Sequence, residues 1–123
     1  MLWFWAPVAI WMALIFYFSS KTPDKLPQFD IPGIDKLFHF VEYFVLGFLL
    51  VRAFANSASV PNHVYILAAS VIIASLYGAS DEFHQRFVPG RLYDAFDLIS
   101  DIIGSLTGAS LSIYKEKIKN AVH

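Results

Sequence analysis

"DKLFHFVEYFVLGFLLVRAF", Asp35 to Phe54, is apolar over most of its length, yet Asp35, Lys36, His39, Glu42 and Tyr43 crowd its beginning. In a helix, residues four apart lie one above the other, so Asp35, His39 and Tyr43 stack on a single face with Lys36 and Glu42 alongside. An ionised carboxylate near the middle of a bilayer costs about 2.5 kcal/mol or more, so such groups turn inward or sit where water reaches them. The stretch therefore reads as a membrane helix whose polar stripe faces other helices.

Composition agrees with that reading. The chain has 123 residues, enough for one domain over residues 1–123, with 57% hydrophobic and 15% charged residues and a mean hydropathy of +0.55, well away from the soluble balance. A net charge of −1 with scattered basic residues excludes a nucleic-acid binder. The absence of cysteine removes disulfides, zinc–thiolate sites and thiol nucleophiles. No cofactor is expected, save a divalent metal held by His, Asp and Glu.

Four segments, about 2–18, 37–54, 64–80 and 95–114, come close to the roughly 17 to 25 apolar residues that cross a bilayer. The first has the length of a signal sequence but lacks a basic start, and Ser19-Ser20-Lys21 is a poor cleavage site, so it is read as an anchor. Prolines 23, 27 and 32 with Gly33 make the first connection a loop, and "VPGR" at Val88 to Arg91 reads as a tight turn. Helices are forced where the backbone meets no water, which predicts an all-α, integral membrane, four-helix up-down bundle, multi-pass in the cell membrane. Alternation of direction then brings the start of helix two, the end of helix three and the start of helix four to one face. Which side that face takes stays open, because Arg52, Lys115, Lys117 and Lys119 oppose Lys21, Lys25, Lys36, Arg86 and Arg91, four against five.

The other helices carry stripes of their own. Tyr77, Asp81 and Gln85 follow at spacing four on helix three, with Glu82 and His84 on flanking faces. Asp94, Asp97, Asp101, Gly104 and Gly108 form a narrow seam on helix four, and Gly104 to Gly108 is a GxxxG pattern of the kind that permits close helix approach. Three polar stripes are thus expected to point at one another.

"FSSKTP" after the first helix, "DKLFHFVEYFVLG" from Asp35 to Gly47 and "YGASDEFHQRFVPGRLYDAFDLISDIIGSLTG" from Tyr77 to Gly108 resemble the VanZ-like family of small bacterial membrane proteins, over nearly the whole chain. The resemblance implies four membrane helices, a cell-envelope role and, as in the founding members, lowered susceptibility to the glycopeptide teicoplanin. Asp101 stands where the family usually has Asn, so a carboxylate replaces an amide four residues after Asp97 and the site is more acidic or proton-sharing here.

Each polar residue also has a plain structural role open to it. Asp35 can stabilise a helix N-terminus, His39 can be a satisfied core histidine, and Arg91 can pair with Asp97 or Asp81. Taken together, the expected ligand-binding set is Asp35, Lys36, His39, Tyr43, Asp81, Glu82, Gln85, Arg91, Asp97 and Asp101, with Pro89, Gly90, Gly104 and Gly108 shaping the backbone. Pro89-Gly90 would fix Arg91 over the bundle mouth, where a guanidinium clamps a phosphate or carboxylate. Three functions stay open. The first is a water-accessible pocket that binds the polar part of an amphiphile, either a lipid-linked envelope intermediate or the glycopeptide. The second is a membrane hydrolase or transferase using His39 with Asp81, Glu82 or Asp97 as acid and base, or as ligands of a water-activating metal. The third is a structural partner of another membrane protein. Membrane lipids are partners in every case; nucleic acid is a partner in none.

Overall fold

Away from water each backbone N–H must find its carbonyl within the same helix, and the computed structural model of the chain is helical in every described element. A 3-10 turn, Leu2–Phe4, precedes α1 (Ala6–Ser19), α2 (Ile34–Ser57), α3 (His63–Gln85) and α4 (Ala95–Val122). The structure describes residues 2–19, 34–57, 62–85, 87 and 95–122, with the side chains of residues 2, 19, 34–36, 57, 85, 95 and 120–122 outside that description. Among the described residues the fold is all-α with four α-helices, and three of them are long and apolar enough to cross a membrane, over Leu37–Asn56, His63–His84 and Phe96–Lys119.

The first helix is shorter than its apolar run predicts. The run starts at Leu2, but the α-helix begins only at Ala6, with Pro7 in its first turn, where the missing N–H is tolerated; residues 2–4 take the tighter 3-10 form instead. Its 14 residues extend about 21 Å at 1.5 Å per residue, against about 30 Å of hydrocarbon. The other helices run longer than predicted. Asn62 caps α3, its Oδ1 accepting from the Val64 N–H at 2.8 Å, and α4 continues through the Lys-Glu-Lys tail, whose residues are good helix formers.

Neighbouring helices show their relative direction through paired contacts. Trp11 Nε1–H donates to the Glu42 carbonyl at 2.7 Å, and the Trp5 ring meets Phe54 edge-on at 5.0 Å, so α1 and α2 are antiparallel. Tyr77 donates its hydroxyl to the Met12 carbonyl at 2.6 Å and His84 stacks on Phe16 at 4.7 Å, which makes α1 and α3 parallel. The pairing of α2 with α4 is the most extensive among the described elements. A Cβ at Gly104 would strike the Phe40 carbonyl, one at Gly108 the Phe44 carbonyl, and one at Gly47 the Ser105 carbonyl. Side chains there would hold the two backbones apart, so the glycines are what allow this parallel pair to close.

One apolar cluster joins Val8 and Ile15 to Tyr43, Leu46, Leu50, Ala53 and Ala74. A second joins Val51, Ile66, Ala109 and Ile113. The outer faces carry exposed Leu14, Ile72, Leu76, Ile103 and Leu106, as a lipid-facing surface would. At the end away from the polar stripes, the Arg52 guanidinium lies over the Phe4 ring at 5.0 Å, a cation–π contact that ties α2 to the turn before α1.

Candidate functional site

Antiparallel packing of α3 against the parallel pair of α2 and α4 places the start of α2, the end of α3 and the start of α4 together, and the polar stripes lie at that end. His39, Asp81, Glu82, Asp97 and Asp101 are all buried there, and Tyr43 is buried one turn deeper. Among the described residues, then, four buried carboxyl groups and one buried imidazole share the end of three helices. His39 and Glu82 stand within a few residues of the ends of their apolar spans, so the cluster lies near one rim.

Its centre is a contact between α2 and α4. His39 Nδ1 is 2.8 Å from Asp101 Oδ1, across 62 residues of sequence. An ionised carboxylate can only accept, so with Asp101 ionised the imidazole donates from Nδ1. The nearest Asp97 oxygen is 3.8 Å from Nε2, beyond hydrogen-bond length. Gly78 leaves the space for this pair, since a Cβ there would stand 2.9 Å from Asp101 Oδ2.

Glu82 approaches from α3. Its side chain is 1% exposed, and neither carboxylate oxygen has a hydrogen-bond partner among the described residues. The same holds for Asp101 Oδ2 and the Tyr43 hydroxyl. Asp81 and Asp97 differ, each being engaged by further groups. One ligand atom each from His39, Glu82 and Asp101 lie within 4.8 Å of one another. Such a set can accept hydrogen bonds from a hydroxylated or aminated ligand, exchange a proton, or hold a cation.

His39, Tyr43, Asp81, Glu82, Asp97 and Asp101 are thus brought together, beneath the surface rather than lining an open pocket. Asp35 and Lys36 fall in the first turn of α2 and Gln85 ends α3, their side chains outside the described residues. Pro89, Gly90 and Arg91 lie wholly outside them. Gly104 and Gly108 serve the α2–α4 contact, as described. Glu82 belongs to the expected set, but two features of the site go beyond the sequence: how deeply that side chain is enclosed, and the part played by Gly78. Glu82, placed there on a flanking face, is among the most enclosed side chains of the molecule. Gly78 was not singled out, although its spacing of three to Asp81 and four to Glu82 puts it on the polar face.

The family model described as VanZ/LLP1 matches residues 4–116. The chain belongs to the VanZ/LLP1 family. Two curated relatives give the reach of this family likeness. An uncharacterised protein of Schizosaccharomyces pombe is 29% identical over 91 residues, 74% of this chain and 54% of that protein. An uncharacterised protein of Saccharomyces cerevisiae is 30% identical over 103 residues, 78% of this chain and 93% of that protein. The matched part thus spans about half the length of the fission-yeast relative and nearly all of the budding-yeast one. No solved structure matches. Apolar helices of spanning length and membership of VanZ/LLP1 together make this a membrane protein.

Proposed function

We propose that this VanZ/LLP1 protein is a multi-pass protein of the cell membrane that binds the polar part of an amphiphile at the cluster formed by His39, Glu82 and Asp101. The observation that supports it is the Glu82 carboxylate, enclosed among three helices with both oxygens unpartnered among the described residues. Leaving one buried polar group unsatisfied costs about 1–3 kcal/mol, more when it is charged. A ligand bearing hydroxyl or ammonium donors removes that cost, and a sugar- or amino-sugar-bearing head attached to a lipid offers such donors at the depth of the site. Lipid-linked envelope intermediates and glycopeptide antibiotics share this chemistry. In a bacterial envelope, sequestering either would lower teicoplanin susceptibility.

A membrane hydrolase or transferase is the second reading, favoured by the mutual approach of His39, Glu82 and Asp101. A structural role through the GxxxG face is less well supported, because Gly104 and Gly108 already lie against the Phe40 and Phe44 backbone of the same chain.

The test is equilibrium binding of an undecaprenyl-linked disaccharide, and separately of teicoplanin, to detergent-purified protein. Wild-type protein is expected to bind one of them saturably, and Glu82→Gln and Arg91→Ala to bind it at least about tenfold more weakly, a loss of about 1.4 kcal/mol, while remaining helical. Equal affinity in all three proteins would refute the assignment of the site. Release of a cleaved or transferred product during the assay would favour the enzyme.

A further inference from the structure

Carboxylates concentrated in a buried site need an offsetting charge, and among the described residues His39 is the one basic side chain in the cluster. Asp81 and Asp97 have partners of their own; Glu82 and the second oxygen of Asp101 have none among the described residues. These unpartnered oxygens and a His39 nitrogen belong to the three residues whose donor atoms lie within 4.8 Å of one another. We infer that His39, Glu82 and Asp101 form a divalent-cation site between α2, α3 and α4.

The spacing suits an ion. Metal–ligand bonds of about 2.0–2.2 Å put adjacent ligand atoms about 3.0–3.4 Å apart; the Nδ1–Oδ1 pair of His39 and Asp101, hydrogen-bonded at 2.8 Å, reaches that spacing by opening a few tenths of an ångström as an ion displaces the shared proton. The remaining donor closes on the same point by rotation of the Glu82 side chain, whose oxygens have no hydrogen bond among the described residues to break. Charge fits as well. A dication with a neutral imidazole and two carboxylates is electrically neutral, the state a low-dielectric bundle favours. One nitrogen and two oxygens favour Zn²⁺ or Mn²⁺ over Ca²⁺ and Mg²⁺, which prefer oxygen alone. Three protein ligands leave coordination positions for an incoming group, as at open metal centres.

The inference deepens the amphiphile reading and rests on it only for what the ion would do. A phosphate or diphosphate head would be repelled by four carboxyl groups, whereas a cation held by three of the chain's residues gives that head a positive point to meet. Binding of the ion itself rests on the geometry alone.

Detergent-purified full-length protein, stripped with a chelator and then equilibrated separately with Zn²⁺ and Mn²⁺, is desalted and its metal content measured by mass spectrometry. About one ion per chain is expected. Glu82→Gln and Asp101→Asn, checked for helicity, should bind the ion at least about 100-fold more weakly, since even outer-shell changes cost 10–100-fold, whereas Ser110→Ala on the exposed face should match wild type. No ion retained by the wild type overturns the inference, and so does equal retention by the variants, which would mark adventitious binding elsewhere. Should a variant fail to fold, the electron paramagnetic resonance of Mn²⁺ in the wild type decides: a bound spectrum with nitrogen hyperfine coupling supports the site, and an aquo-ion spectrum overturns it. Repeating the lipid-binding assay on stripped protein separates the two readings. Lipid bound with no ion retained removes the metal site alone, while an ion bound without lipid removes the amphiphile reading and leaves the metal site standing.

Discussion

Gly78 on α3 stands where any side chain would press on the carboxylate of Asp101 on α4, a Cβ there falling 2.9 Å from Oδ2. The absence of a side chain at one residue therefore makes room for the charge at the other. Gly78→Ala should destabilise the protein by about 1–3 kcal/mol, the usual cost of overfilling a packed interior. In an Asp101→Gly background, where both the crowded oxygen and the Cβ at 3.2 Å are gone, the same change should cost much less. Thermal unfolding of the four proteins in detergent checks the pair, and an equal cost in both backgrounds would place the strain elsewhere.

Closure of α2 on α4 depends on backbone meeting backbone. Gly108 lies against the Phe44 carbonyl, an atom that cannot rotate away as a flexible side chain would. Gly108→Ala is therefore expected to separate the helices and destabilise by about 3 kcal/mol, at the upper end for overpacking, while Ser110→Ala, two residues on and exposed, should be within about 0.5 kcal/mol of wild type. Resistance to unfolding in sodium dodecyl sulfate, followed by circular dichroism, measures both.

The short α1 is held to the bundle by two hydrogen bonds to backbone carbonyls, from Trp11 to Glu42 and from Tyr77 to Met12. Tyr77→Phe removes one donor and leaves the Met12 carbonyl without it, so a loss of about 0.5–1.5 kcal/mol is expected. Its effect should be local. Hydrogen exchange ought to rise across Ala6–Ser19 with little change in α4, and a uniform rise would show that α1 does not open on its own.

The contrast between α1 and the other helices shows what periodicity and hydropathy convey. Polar and ionisable residues at spacing four within apolar spans, His39 with Tyr43 and Asp97 with Asp101, are costly unless they turn inward, so the energetics of the bilayer make their facing readable. Hydropathy carries no such constraint for Leu2 to Trp5, whose apolar side chains suit a 3-10 turn as well as an α-helix, and the start of α1 was misplaced for that reason. Glu82 was ambiguous because a residue adjacent to a stripe can turn to either flank, and only the position of α4 decides which flank is enclosed. Gly47 and Gly78 lack a second glycine at spacing four in their own helices. Their significance depends on which atom of another helix lies opposite, a relationship of tertiary structure.

A double-mutant cycle on His39 and Asp101 measures the convergence of α2 and α4 on which every other statement about the site depends. Unfolding free energies are compared for wild type, His39→Ala, Asp101→Ala and the double variant. A direct contact at 2.8 Å predicts that the single changes fail to add, with a coupling energy of about 1–3 kcal/mol. Additivity to within about 0.5 kcal/mol, the behaviour of independent sites, would mean that the two side chains do not meet and would contradict the account.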